Sequence, residues 1–384
     1  MRADDRPRPK LLFLVSVDWY FCSHRLPLAL AALAAGYEVA VATQITQHAE
    51  RIRRSGLKLI PIQLSRHGKN LFRELGFVFQ LVRLYRREHP DLVHHVALKP
   101  VLYGSIAARL AGVPHLVNAI AGLGFLYTSS SLQARLLRPL INRLLKSLLG
   151  RANTLTIVQN PDQARLLTRL AGLEPSSLHL IRGAGVDLEA FRPAPEPLGT
   201  PVVILASRLI WHKGIREFVR AAEILRSRGV DARFALVGEP DVHYSNPISD
   251  REIQAWQRAG VVEYWGFHAD MAPVFARSHI VCLPTYGEGL PKVLIEAAAC
   301  GRPIVTSDVP GCREIVLAGE NGFLVPLRDV HALADALQTL IERPSLRQRF
   351  GSRSREIAAA DFGLGKVIEQ TLSLYHRALH FNPT

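Results

Sequence analysis

Residues 284–297 read PTYGEGLPKVLIEA, and the fold follows from how this stretch is bounded. The four residues before it, IVCL at 280–283, form a short apolar run of strand type. A glycine-rich loop then carries Glu288, and Pro291 opens a helical pattern at a position where proline is tolerated. Strand, loop, helix is the repeating unit of a parallel sheet. Working outward, the same rhythm fills the second half of the chain. Strand patterns fit residues 202–206, 233–237, 261–264, 303–306 and 322–325, and helix patterns fit 213–228, 291–300 and 330–341. The first half repeats it. Apolar runs at 11–17, 38–42, 58–62, 92–96, 116–119 and 155–158 alternate with amphipathic stretches at 27–35, 71–87, 101–110 and 132–149. The rhythm stops only at residues 191–201, FRPAPEPLGTP, whose four prolines read as a linker.

The expected architecture is α/β, with two doubly wound, Rossmann-like domains facing a central cleft. Its parts are an N-terminal domain over residues 1–190, the linker at 191–201, a second domain over 202–361, and a C-terminal helix at 362–384 returning to the first domain. A length of 384 residues supports two cores of this size. Ligands bind such sheets at the carboxyl ends of the strands, so the cleft is the expected site.

Composition narrows the function. Hydrophobic residues make up 48% and charged residues 21%, which is globular. No run of 18 apolar residues occurs, so no spanning helix is expected. The charged start, MRADDRPRPK, leads straight into a strand-like run, so no signal peptide is expected. Four cysteines with no CxxC pair read as buried thiols in a reducing, cytoplasmic setting. The net charge of +14 is uneven: residues 1–190 hold 25 basic and 12 acidic side chains, residues 191–384 hold 22 and 21. A polyanionic partner on the first half is implied, with nucleic acid, anionic lipid and phosphorylated substrate all open at this point.

Two constellations carry chemistry. The first is ASRLIWHKG at 206–214, just after a strand. Arg208 and Lys213 beside a helix start suit a diphosphate, although two solvated surface charges fit the same pattern. The second is the opening stretch itself. Gly287 and Gly289 let backbone approach a ligand, the N–H groups around Gly289, Leu290 and Pro291 suit phosphate, and Glu288, Thr285 and Glu296 offer oxygens to sugar hydroxyls. An exposed Glu288 and a dipole-favoured Glu296 are the plainer alternative.

With GRPIV at 301–305 and ENGFLV at 320–325 added, these residues resemble the retaining family-4 glycosyltransferases of the GT-B fold. In the first half, SHRLP at 23–27, His95-x3-Lys99-Pro100-x2-Tyr103-Gly104, and NAIAGLG at 118–124 resemble a bacterial capsule and O-antigen subgroup, which builds glycans on undecaprenyl diphosphate and includes N-acetylgalactosaminyltransferases. The resemblance implies a UDP-sugar donor, a polyprenyl-diphosphate-linked acceptor and a retained anomeric configuration. It implies Arg208, Lys213 and Glu288 as catalytic residues. It also implies substrate contacts from Glu296, Gly289, Leu290, Pro291, Thr285, Gly266, Phe267, His24, His95, Lys99 and Gly122. The sugar-contacting histidine of many members is replaced here by Ala121; His24 or His95 could compensate, and a structural role fits both equally. No Asp-x-Asp occurs, which agrees with an enzyme that needs no metal and no cofactor.

Residues 132–149 add a helix with Leu136, Leu137, Leu140, Ile141, Leu144 and Leu148 on one face and Arg135, Arg138, Arg143 and Lys146 near the other. Such a helix can lie on the anionic inner face of the cytoplasmic membrane, and an ordinary domain helix fits the same pattern. The competing reading of the basic half, nucleic-acid binding, lacks an aromatic-interleaved RNA motif and a helix-turn-helix signal. A non-catalytic relative would be expected to lose Arg208, Lys213 or Glu288. A hydrolase would place its two carboxylates on opposite sides of a sugar.

Overall fold

A computed structural model describes residues 8–64, 71–120, 132–241 and 247–380 of the chain. Two compact α/β units of similar size emerge, one from Met1–Ala184 with Val367–Thr384, the other from Gly185–Lys366.

The first unit is built on β1 (Lys10–Val17), β2 (Glu38–Gln44), β3 (Lys58–Pro61), β4 (Leu92–Val96), β5 (His115–Ile120), β6 (Thr154–Val158) and β7 (Leu178–Leu180). Their order is β3-β2-β1-β4-β5-β6-β7, with every pairing parallel. The chain steps outward from β1 and then restarts beside it at β4, so the strand order reverses between these two strands. Side chains alternate across a strand, and β1 shows the consequence. Leu11, Phe13 and Val15 pack with Leu26, Leu28, Leu374 and Tyr375 on one face. Leu12 and Leu14 pack with Phe77, Leu81 and Tyr85 on the other. Leu374 and Tyr375 belong to the C-terminal helix Leu364–Leu379, which thereby completes the first unit's core.

The second unit repeats the plan with β8 (Val202–Ala206), β9 (Arg233–Val237), β10 (Glu263–Gly266), β11 (Ile280–Leu283), β12 (Ile304–Ser307) and β13 (Gly322–Val325). The order is β10-β9-β8-β11-β12-β13, again all parallel. Here the reversal falls between β8 and β11. Both strands are fully buried, as strands covered by helices on two faces must be.

The compact units divide at 184/185 rather than at 190. Residues 191–201 carry no helix or strand, as their prolines dictate, yet they are fastened to the second unit. The Arg347 guanidinium pairs with Glu196 at 2.5 Å, Pro193 lies against Gly301, and the Pro197 carbonyl accepts from His279. The GRPIV and ENGFLV motifs are locks of the same unit. Buried Arg302 donates to the carbonyls of Phe275, Ala276 and Pro195, and buried Asn321 bridges the Leu317 N–H and the Ile315 carbonyl. All four cysteines are buried and unpaired.

Candidate active site at the carboxyl edge of the second sheet

In open parallel sheets the crevice at the strand-order reversal is where ligands bind. In the second unit the chain leaving β8 supplies Arg208 and Lys213, and the chain leaving β11 supplies Thr285 and Glu288. The two loops are pressed together by backbone. Gly214 has φ +78 and sits so close to the Pro284 carbonyl that a Cβ would collide with it. Only glycine allows both the left-handed conformation and that approach. The Thr285 hydroxyl and the Tyr286 N–H both donate to the His212 carbonyl, at 3.2 and 2.9 Å. On the far side, Gly311 makes room for the Glu288 and Gly289 carbonyls, 2.6 and 2.5 Å from where its Cβ would lie.

Within this frame the Lys213 ammonium pairs with the Glu288 carboxylate, both side chains largely buried, and Thr285 Oγ1 lies 3.5 Å from the same carboxylate oxygen. The His212 ring stands edge-on to Tyr286 at 5.4 Å. Burial holds the His212 pKa below its ordinary value, against the opposing pull of Glu288. Lys213, Glu288 and Thr285 are thus brought together.

The other expected residues have separate surroundings. Arg208 is half exposed and donates to Asp241 at 2.7 Å, on the loop leaving β9. Glu296 lies one turn inside the helix Lys292–Ala299, almost fully buried and paired with Lys292 at 2.6 Å. Burial raises its pKa, and Lys292 opposes that. Pro291 caps the helix and its carbonyl accepts from Leu294, while Leu290 is buried in the core beneath. Gly266 ends β10 with φ +72, followed by Phe267, which is 64% exposed. These two residues therefore stand on the same carboxyl edge, two strands from β8.

The first unit departs further from expectation. The sequence pattern around His95 turns out to be a packing motif. His95 is fully buried, its Nδ1 2.7 Å from Asn118 Oδ1 and its Nε2 3.0 Å from the Tyr85 hydroxyl. Gly104 is the residue that makes space for the ring, since a Cβ there would overlap it. Burial pushes the His95 pKa down to about 4. With both ring nitrogens engaged inside the core, His95 has none left for a substrate. Lys99 pairs with Glu74 at 2.8 Å and approaches the Tyr103 ring. His24 stacks on Tyr20 with ring centroids 4.1 Å apart, and its Nδ1 lies 2.5 Å from the Ser23 hydroxyl. Gly122 and Ala121 lie outside the described residues.

Sequence reasoning missed Asp18, at the reversal point of the first sheet. Its buried carboxylate accepts from the N–H groups of Trp19, Thr46 and His48 and from the Thr46 hydroxyl. Burial raises its pKa, but these donors outweigh burial and the net shift is downward. It also missed Asp241, Glu217 and Arg328, which lie far apart in sequence from the groups they meet. Among the described residues no group of three or more His, Cys, Asp or Glu side chains is arranged to hold a metal.

Two doubly wound parallel sheets, one in each unit, are the architecture of the GT-B class. Known structures agree. Anabaena HepE, solved with UDP and glucose, is 20% identical with a TM-score of 0.77 over 96% of this chain and 100% of that one. Sucrose-phosphate synthase from Thermosynechococcus elongatus is 23% identical with a TM-score of 0.79 over 96% and 99%. Residues 10–160 match the model of the "Glycosyl transferase 4-like" family and residues 200–343 that of "Glycosyl transferases group 1". The chain belongs to the glycosyltransferases, with one of these two domains in each unit. Among its relatives, the N,N'-diacetylbacillosaminyl-diphospho-undecaprenol alpha-1,3-N-acetylgalactosaminyltransferase of Campylobacter jejuni is 28% identical over 92% of this chain and 95% of its own. The UDP-Gal:alpha-D-GlcNAc-diphosphoundecaprenol alpha-1,3-galactosyltransferase of Escherichia coli is 26% identical over 80% of each.

Proposed function

We propose that this enzyme moves an N-acetylhexosamine, with N-acetylgalactosamine favoured, from a UDP-sugar to an undecaprenyl-diphosphate-linked glycan with retention of configuration. The product would enter a cell-surface polysaccharide or a glycoprotein glycan. The observation that carries this reading is the end-to-end similarity to the Campylobacter enzyme, whose name specifies that acceptor class and that sugar. The Lys213–Glu288–Thr285 cluster supports the donor side.

The costly event in such a transfer is departure of UDP with developing diphosphate charge. Lys213 and Arg208 offset that charge, and the N–H groups of Gly289 and Leu290 add to them. Preorganised donors in a part-buried site need little reorganisation as the charge forms. Glu288 and Thr285 accept from the sugar hydroxyls, Glu296 serves the ribose, and Gly266 with Phe267 borders the base. The leaving phosphate itself takes the acceptor proton, so no separate base is required.

The acceptor's lipid stays in the bilayer, so the enzyme works at the inner face of the cytoplasmic membrane. Among the described residues no helix is long and apolar enough to cross it. Contact from one side suits the first unit, where Leu75 and Phe79 of the helix Leu71–Glu88 and Leu137 and Leu140 of the helix Leu132–Leu149 are exposed. Arginines flank these side chains, and anionic lipid matches them.

The test is a screen of UDP-sugars against polyprenyl-diphosphate glycans with the purified full chain. Transfer of N-acetylgalactosamine onto an undecaprenyl-diphosphate glycan is the expected result. Failure to bind UDP or to turn over any UDP-sugar would overturn the reading.

A further inference from the structure

Tyr286 stands two residues before Glu288, and its side chain, edge-on to His212, has two further partners. Its hydroxyl donates to Glu217 Oε1 at 2.7 Å. Glu217 belongs to the first turn of the helix Ile215–Ser227 and is buried, and its second oxygen, Oε2, has no partner. The tyrosine hydroxyl is thus the hydrogen-bond donor given to this buried carboxylate. Over the ring lies the Arg328 guanidinium, 4.5 Å from the centroid. Arg328 follows β13 and holds φ +65, a left-handed conformation that a side chain of its size seldom adopts. Among the described residues Arg328 has no carboxylate partner, whereas Arg208 has Asp241 and Lys213 has Glu288. The backbone at Tyr286 is tied as well, its N–H donating to the His212 carbonyl.

A surface loop is held by few anchors, and a displacement at one residue is passed on to residues two positions away. A charge-assisted hydrogen bond in a buried setting and a cation over an aromatic face are strong anchors of this kind. We propose that Tyr286, fastened to Glu217 and covered by Arg328, is a positioning residue that fixes the loop 284–290 so that Glu288 and Thr285 meet Lys213. This rests on reading that loop as the donor site. None of the three need touch the reacting atoms. Arg328 couples the chain leaving the terminal strand β13 to the chain leaving the interior strand β11, two strands away.

The experiment measures the donor KM, the acceptor KM, kcat and UDP affinity in the full chain. Replacing both members of the buried pair, Tyr286→Phe with Glu217→Met, removes the anchor without leaving an unpaired buried charge, so the fold is kept. The expected result is a donor KM raised at least tenfold with an unchanged acceptor KM and an unchanged melting temperature. Glu217→Gln keeps an acceptor for the hydroxyl and should stay within about threefold of the wild type. Arg328→Gly suits the left-handed backbone and should raise the donor KM by a smaller factor than the double variant. A folded double variant with a donor KM within twofold of wild type would overturn this inference alone. Absence of UDP binding by the wild type would overturn the donor reading and this inference with it.

Discussion

Acidification should destabilise the first unit by an amount that His95 sets. The ring is fully buried between Asn118 and Tyr85, and its pKa is pushed down from the ordinary 6.5 to about 4. In the unfolded chain the same ring takes up a proton near its ordinary value. Between those two pH values the unfolded state therefore binds more protons, and stability rises with pH. The contribution is complete above about pH 6.5 and is lost as the pH falls toward 4. At 1.36 kcal/mol per unit the whole effect is about 3 kcal/mol, of which about 2 kcal/mol falls between pH 7 and pH 5. His94, buried beside it on β4, is shifted in the same direction by burial and adds to the loss. The measurement is a urea titration of wild type and His95→Gln at pH 7, 6 and 5, read through amide exchange in β4. The variant is expected to be less stable at pH 7, and the gap should shrink by about 2 kcal/mol at pH 5. A gap that does not change with pH would mean that His95 titrates normally in the folded chain. That would refute the core assignment and return the residue to the list of ligand candidates.

The remaining predictions concern the donor site and the membrane. Lys213→Ala should lower kcat by roughly 10²–10³, the effect of losing one preorganised donor worth about 3–4 kcal/mol, with Arg208→Ala in the same direction; near-normal rates in both would remove the diphosphate role. Glu288→Gln should tighten UDP binding by about two- to fivefold while slowing transfer, because a part-buried pair worth up to about 1 kcal/mol no longer competes for Lys213; calorimetry showing weaker UDP binding would contradict this. Vesicle flotation should show salt-sensitive binding to phosphatidylglycerol-containing vesicles and weak binding to phosphatidylcholine alone. Charge reversal of Arg138, Arg143 and Lys146 should reduce that binding, and equal binding to both lipids would leave the basic half without a lipid role.

Some of this was legible in the sequence and some was not, for physical reasons. Strand positions followed from apolar runs because both sheets are parallel and buried on both faces. The short edge strand β7 has no such run and escaped notice, as did the helices Asp250–Arg258 and Pro344–Asp361, which are polar over most of their length. That Lys213, Thr285 and Glu288 share one sheet edge was legible because both loops leave adjacent strands, and the glycines announce the close approach. His95 stayed open between two readings, because a histidine that fills a core beside Gly104 and one that awaits a ligand leave the same trace in sequence. Tyr286 was in view within the quoted loop, but its partners Glu217 and Arg328 are 69 and 42 residues away. No local spacing rule could connect them.

The arrangement of charge at the second sheet's edge also bears on how the enzyme would discriminate between occupied and empty states. Both cations expected to hold the diphosphate already have carboxylate partners, Arg208 with Asp241 and Lys213 with Glu288. A carboxylate spreads one charge over two oxygens, whereas a diphosphate offers more charge and more acceptor atoms to the same donors. Entry of the donor would therefore exchange one partner for a stronger one instead of neutralising bare cations. On the proposed roles, that exchange would free Glu288 to accept from the sugar hydroxyls. One ion pair would thus keep the lysine oriented when the site is empty and release the acceptor that the sugar needs when it is filled. Because each released carboxylate must find a new donor, a bare diphosphate without its sugar would satisfy Lys213 but leave Glu288 unmatched. On the proposed roles, the site would favour the intact nucleotide sugar over the nucleotide alone.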